Sequence, residues 1–72
     1  MKLNEVKVGE RVTIKNISAQ AKMKKKLMDM GLIKNTEVVV RKVAPLGDPM
    51  ELSVRGYELS IRKADAAQIE VV

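Results

Sequence analysis

The hydroxyls of Ser18, Ser53 and Ser60 are the obvious nucleophile candidates in this sequence, and nothing in it can activate them. The chain has no histidine and no cysteine. The commonest general base and the best thiol nucleophile are therefore missing. Disulfides, thiolate zinc sites and imidazole ligands go with them. An enzyme is not expected, and neither is a cofactor. Asp48 and Glu51 are the nearest carboxylates that could share a cation. A divalent transition metal would want imidazole or further carboxylates, so solvated surface charge is the plainer reading of that pair.

What remains able to act is charge. Residues 1–44 carry eleven Lys/Arg against four Asp/Glu, and residues 45–72 carry three against five. The net charge is +5. A one-sided positive field favours an anionic partner, whether an acidic protein surface, nucleic acid or a lipid headgroup. Lys22, Lys24, Lys25 and Lys26 form the densest cluster. Two readings stay open for it. One is a solvated face, with Lys25 and Asp29 forming a helix pair; the other is a docking surface. Lys22 and Lys26 repel each other at that spacing, and cations near a helix start oppose its dipole. Such local costs invite a partner. Tyr57 is the only aromatic residue and is predicted to face inward. One tyrosine cannot build an aromatic groove for Pro-rich peptides or a stacking platform for bases. Sequence-blind phosphate contact stays allowed.

The elements that must position these residues follow from periodicity. Seventy-two residues, 46% apolar and 32% charged, make one small globular domain, 1–72, rather than a disordered chain. Leu3 and Val6 suit one helical turn. Val12 and Ile14 alternate with Arg11, Thr13 and Lys15, which marks a half-buried strand. Ala19, Met23, Leu27 and Met30 form one helical stripe over about 19–30. Ser18 is the expected N-cap. Gly31 is the expected left-handed stop, with Leu32 folding back toward Leu27. Met28 and Ala21 fall off the stripe. Met28 is then either a scattered exposed residue or an adaptable contact between lysines.

Thr36–Val43 is a β-branched run in which Val43 breaks the alternation of Val38 and Val40. A bulge near Arg41–Lys42 would restore it and bend the strand. Pro45, Gly47 and Pro49 make residues 44–49 a loop, partly stiffened because each proline fixes its own φ. Met50, Leu52 and Val54 alternate with polar residues, and so do Tyr57, Leu59 and Ile61. A two-residue turn at Arg55-Gly56 pairs Val54 with Tyr57, Leu52 with Leu59 and Met50 with Ile61, so inward residues meet inward residues. Lys63–Ala67 reads as one helical turn and Gln68–Val71 as a closing strand. The predicted fold is mainly β: a small SH3-like five-stranded barrel, with one α-helix inserted between its first and second strands. Closure of the sheet on itself is expected to hide its edges.

With these segments in place, the chain resembles the ferrous-iron transport protein A family. The resemblance rests on Leu3, Val6 and Gly9, on Leu27-Met-Asp-Met-Gly-Leu32, on Pro45-Leu-Gly-Asp-Pro49 and on Val54-Arg-Gly-Tyr-Glu-Leu-Ser-Ile-Arg62. One departure is Asn35, where family members often have glycine. Asn tolerates positive φ, so the turn can survive. The resemblance implies a cytosolic SH3-like module that acts on the cytoplasmic GTPase region of the membrane Fe²⁺ transporter, ferrous-iron transport protein B, rather than carrying iron. With no DNA-reading helix-turn-helix, a free-standing module is expected. No run of about 18 apolar residues and no apolar leader is present, so membrane insertion is not expected. A monomer or weak homo-oligomer is expected, any self-association running through edge strands. The candidate partner contacts are Lys24, Lys25, Lys26, Met28, Leu46 and Asp48. The alternative is a small basic barrel that binds nucleic acid through its phosphates.

Overall fold

The computed structural model describes all residues, Met1 to Val72. A 3₁₀ turn at Leu3–Glu5 leads into strand β1, Arg11–Ile17. Helix α1, Ala21–Asp29, follows, then β2, Glu37–Val43. Strands β3, Met50–Val54, and β4, Tyr57–Ile61, form a hairpin. A single helical turn, α2 at Lys63–Ala66, leads to β5, Ile69–Val71. All neighbouring strands are antiparallel, in the order β4-β3-β2-β1-β5.

The predicted pairings hold. Val54 faces Tyr57, Leu52 faces Leu59 and Met50 faces Ile61. The β2–β3 register shifts between Val40 and Lys42, where the broken alternation demanded a bulge. A second shift lies between Ile14 and Asn16, where β1 meets β5. These two irregularities bend the sheet around a core of fifteen buried aliphatic residues, among them Ile14, Leu27, Leu32, Val40, Leu52 and Ile69. No aromatic ring takes part.

The sheet does not close on itself. β4 and β5 are its edge strands and share no ladder. The turn α2 lies in the segment that connects them along the chain and packs against the 3₁₀ turn at Leu3–Glu5. Exposed Glu58 and Ser60 make the β4 edge polar, which discourages pairing with a second copy.

The helix exit matches its sequence signal and the helix start does not. Gly31 has φ +95°. Its N–H donates to the Met28 carbonyl at 2.9 Å, and the Leu32 N–H donates to the Leu27 carbonyl at 3.1 Å. This is the double hydrogen bond of a Schellman motif, with Leu27 and Leu32 both buried. Ser18, by contrast, is not the cap. Its N–H donates to the Gln68 carbonyl at 2.7 Å, so the β1–β5 ladder holds the chain extended through Ser18. Helical bonding begins only with Lys24 N–H to the Gln20 carbonyl at 2.8 Å. Gln20 is the N-cap residue and its side chain makes no cap hydrogen bond.

Gln20→Asp supplies both a cap acceptor and a negative charge at the helix start. It is expected to stabilise the fold by about 1 kcal/mol, visible as a higher midpoint in urea unfolding. Ser18→Ala is expected to stay within about 0.5 kcal/mol of the parent. A larger loss for Ser18→Ala would return the cap to Ser18.

Candidate functional site

Two of the sequence-predicted groups lie at opposite ends of the β3–β4 hairpin. The first is α1. Met23, Leu27 and Met30 turn toward the core, with Leu27 fully buried and the two methionines packed against it. Lys22, Lys24, Lys25, Lys26 and Met28 are exposed; Met28 keeps 44% of its surface in solvent. The lysines have no carboxylate within 4.0 Å. The ion pairs of the molecule lie elsewhere: Lys2 with Glu70 at 3.8 Å, Arg11 with Glu37 at 3.7 Å and Arg62 with Asp65 at 3.1 Å. The expected Lys25–Asp29 pair is not formed, because both side chains extend into water from an exposed helix face. Shallow grooves flank the helix. Asn16, Ile17, Lys24, Met28 and Lys34 line one, and Gln20, Lys22, Met23 and Lys26 line the other.

The second group is the β2–β3 loop, residues 44–49. Leu46 stands at its tip with 95% of its surface exposed. The Asp48 carboxylate does not point into solvent as a free contact. It accepts the backbone N–H of Lys63 at 2.8 Å, tying the loop to the start of α2. Asp48 and Glu51 make no joint site: Glu51 sits in β3 between Lys42 and Ser60. No three carboxylates converge anywhere in the structure.

Tyr57 corrects the inward reading. It lies on the core side of the β3–β4 register, yet 44% of its surface is exposed. At the end of the hairpin the core does not extend beneath Tyr57, and the ring lies over the helix exit. Its hydroxyl donates to the Met30 carbonyl, and a Cβ on Gly31 would collide with that oxygen. Tyr57 thus clasps α1 to β4. The only sequence signal for this was the isolation of one tyrosine among aliphatic strands. The clasp and the Asp48 tie fix the relative placement of the two groups. α1 ends beside the first residue of β4, and the loop precedes the first residue of β3. The length of the hairpin, about 13 Å for five residues, separates them.

A third depression, of about 400 Å³, lies on the outer sheet face between Asn35, Thr36, Val39, Ser53 and Arg55. Asn35 and Arg55 both adopt positive φ there, +70° and +49°. For Asn35 this is the expected left-handed turn. Arg55-Gly56 makes a two-residue turn with positive φ at both positions, the primed geometry that matches strand twist. The Arg55 guanidinium reaches the Thr36 hydroxyl at 3.4 Å, which helps hold a residue type rarely found in that conformation.

This arrangement coincides with known proteins over its whole length. The FeoA domain model matches residues 1–72. The chain belongs to the FeoA family. A FeoA-like protein from Clostridium acetobutylicum is 42% identical, with a TM-score of 0.93 over 100% of this chain and 84% of that one. FeoA from Stenotrophomonas maltophilia, described as a prokaryotic SH3 domain protein, shares the fold with a TM-score of 0.86 at 21% identity, over 100% of this chain and 89% of its own. A fusion of Fe(2+) transport protein A with the Fe(2+) transporter FeoB from Porphyromonas gingivalis is 32% identical over 71 residues, 99% of this chain. This chain spans 8% of the length of that relative. The FeoA family is thereby linked to ferrous-iron transport, and the SH3-like architecture is that of the family.

Asp48→Ala removes the acceptor at the start of α2. It is expected to cost about 1 kcal/mol, measured by denaturant unfolding, with Asp48→Asn retaining most of the stability. No loss in the alanine variant would mean the tie contributes nothing and would free Asp48 for a contact role.

Proposed function

We propose that this chain is a non-catalytic, cytosolic regulatory module of ferrous-iron uptake that binds the cytoplasmic GTPase region of the membrane Fe²⁺ transporter. The observation that carries the reading is the relative in which a matching segment and the FeoB transporter are one polypeptide. Covalent fusion keeps the two parts together, which suits parts that work by contact. The residues agree with a role exercised through surfaces. The chain holds no histidine or cysteine, and none of its hydroxyls has a base to activate it.

The contact itself belongs to the loop. Leu46 is a large apolar side chain held out in water. Pro45 and Pro49 restrict the backbone around it, and Asp48 anchors it to α2. A preorganised loop loses little conformational entropy on binding. The field of the eleven cations in residues 1–44 raises the rate of encounter with an acidic surface. Lys24, Lys25 and Lys26 contribute to that field from the far end of the hairpin, with Met28 exposed among them, without being needed at the loop contact.

Titration of this chain with the soluble GTPase domain of the transporter tests the reading. Leu46→Asp is expected to weaken binding about tenfold or more, since it places a charge where an apolar side chain is buried. The variant should keep its unfolding midpoint, because Leu46 touches no core. Absence of binding by the parent chain at tens of micromolar and low salt would overturn the proposal.

A further inference from the structure

We propose that the outward face of α1 rests on an anionic phospholipid surface. At 3.6 residues per turn, Ala21 and Met28 lie together on the side of the helix opposite Met23, Leu27 and Met30. Lys24 and Lys25 bracket them, and Lys22 and Lys26 continue the positive charge around one flank. Lys34, on the turn after the helix, shares the Met28 groove with Lys24. All five lysines are exposed and none is paired with a carboxylate. Asp29 is the one acid on the helix.

The residue types choose among anionic partners. Energetic centres of protein interfaces are enriched in Trp, Tyr and Arg, and interfaces are depleted in Lys. This face has four lysines on the helix, no arginine and no aromatic. Lysine is a flexible point charge that suits a diffuse field rather than a fixed bidentate partner. The outward strip carries only the shallow, open groove beside Met28 rather than a deep pocket for one partner side chain, and an exposed helix face can lie along a plane. A phosphate backbone would satisfy the lysines and leave Met28 and Ala21 without a counterpart. A phospholipid surface offers both: negative headgroups for the lysines and an apolar boundary just beneath for Met28. The helix is nine residues long and no helix is long and apolar enough to cross a bilayer, so the association is peripheral. The charges act over a Debye length of about 8 Å at physiological salt.

Co-sedimentation with vesicles tests this. The folded chain should bind vesicles of equimolar phosphatidylglycerol and phosphatidylcholine and ignore pure phosphatidylcholine, with binding lost as salt rises. Each helix lysine removed should lower partitioning about fivefold, so Lys24→Gln with Lys25→Gln should lower it about twenty-five-fold. Lys7→Gln with Lys42→Gln, the same charge change away from α1, should lower it far less. Met28→Ser should lower it a few-fold while leaving the fold unchanged, as checked by circular dichroism. Failure of the parent chain to bind the anionic vesicles overturns the proposal. So does an equal effect of the two lysine pairs, which would reduce binding to net charge alone. Duplex DNA bound as tightly as the vesicles, with no effect of Met28→Ser on either, would reassign the face to phosphate backbones.

Discussion

The structure depends on one strand serving two sides at once. The N–H of Ile14 donates to the Thr36 carbonyl at 2.9 Å, and the Asn35 N–H returns a bond to the Ile14 carbonyl at 2.8 Å. One residue earlier, Thr13 exchanges a pair of 2.9 Å bonds with Val72. β1 thus joins the β2–β3–β4 meander on one edge to the last strand on the other. Its side chains Ile14 and Ile17 enter the core. The right-handed twist of the sheet, increased by the two register shifts, then curls both wings over the same aliphatic cluster. A domain of this size has little stability to spare. Loss of the β1 junction would separate the first and last strands from the meander and open the core along its length.

That junction also explains what the sequence could and could not reveal. The β3–β4 register was legible because three residues of one face on each strand had to meet across a two-residue turn, and a one-residue slip puts the three of one strand on the opposite face from the three of the other. The bulge was legible because Val43 broke a period that Val38 and Val40 had set. The helix exit was legible because Gly31 and Leu32 are local signals for a local motif. The helix start was not. Ser18 is a good cap by type, but its backbone is committed to Gln68, fifty residues away in sequence, and no local pattern reports that. The sheet edges escaped for a similar reason: whether β4 meets β5 is decided by packing between segments distant in sequence, which no local pattern reports.

The candidate site divided the same way. Exposure of Lys24, Lys25, Lys26 and Met28 followed from the helical stripe, which assigns outward positions as firmly as inward ones. Leu46 followed from a proline-bounded loop. The role of Asp48 did not, because its partner is a backbone N–H on a different element. Tyr57 misled because alternation fixes the face a residue occupies and says nothing of how far the core extends beneath it. At the end of the hairpin the core has run out, and the ring becomes a clasp over the carbonyl of Met30.

The surface of this aliphatic body carries two exposed features that differ in kind. The loop holds one apolar side chain on a constrained backbone, and in the contact proposed for it affinity would come from what it does not have to order. The helix offers dispersed charge around a small apolar strip, which selects by field and tolerates many geometries. Tethering both to one rigid hairpin has a physical consequence. Once the helix face is held against an extended surface, the loop no longer searches three dimensions. The gain in effective concentration toward anything else fixed to that surface requires no new contact. It does require that the clasp of Tyr57 on α1 and the Asp48 tie on α2 stay closed, since either one, if loose, would let loop and helix reorient independently.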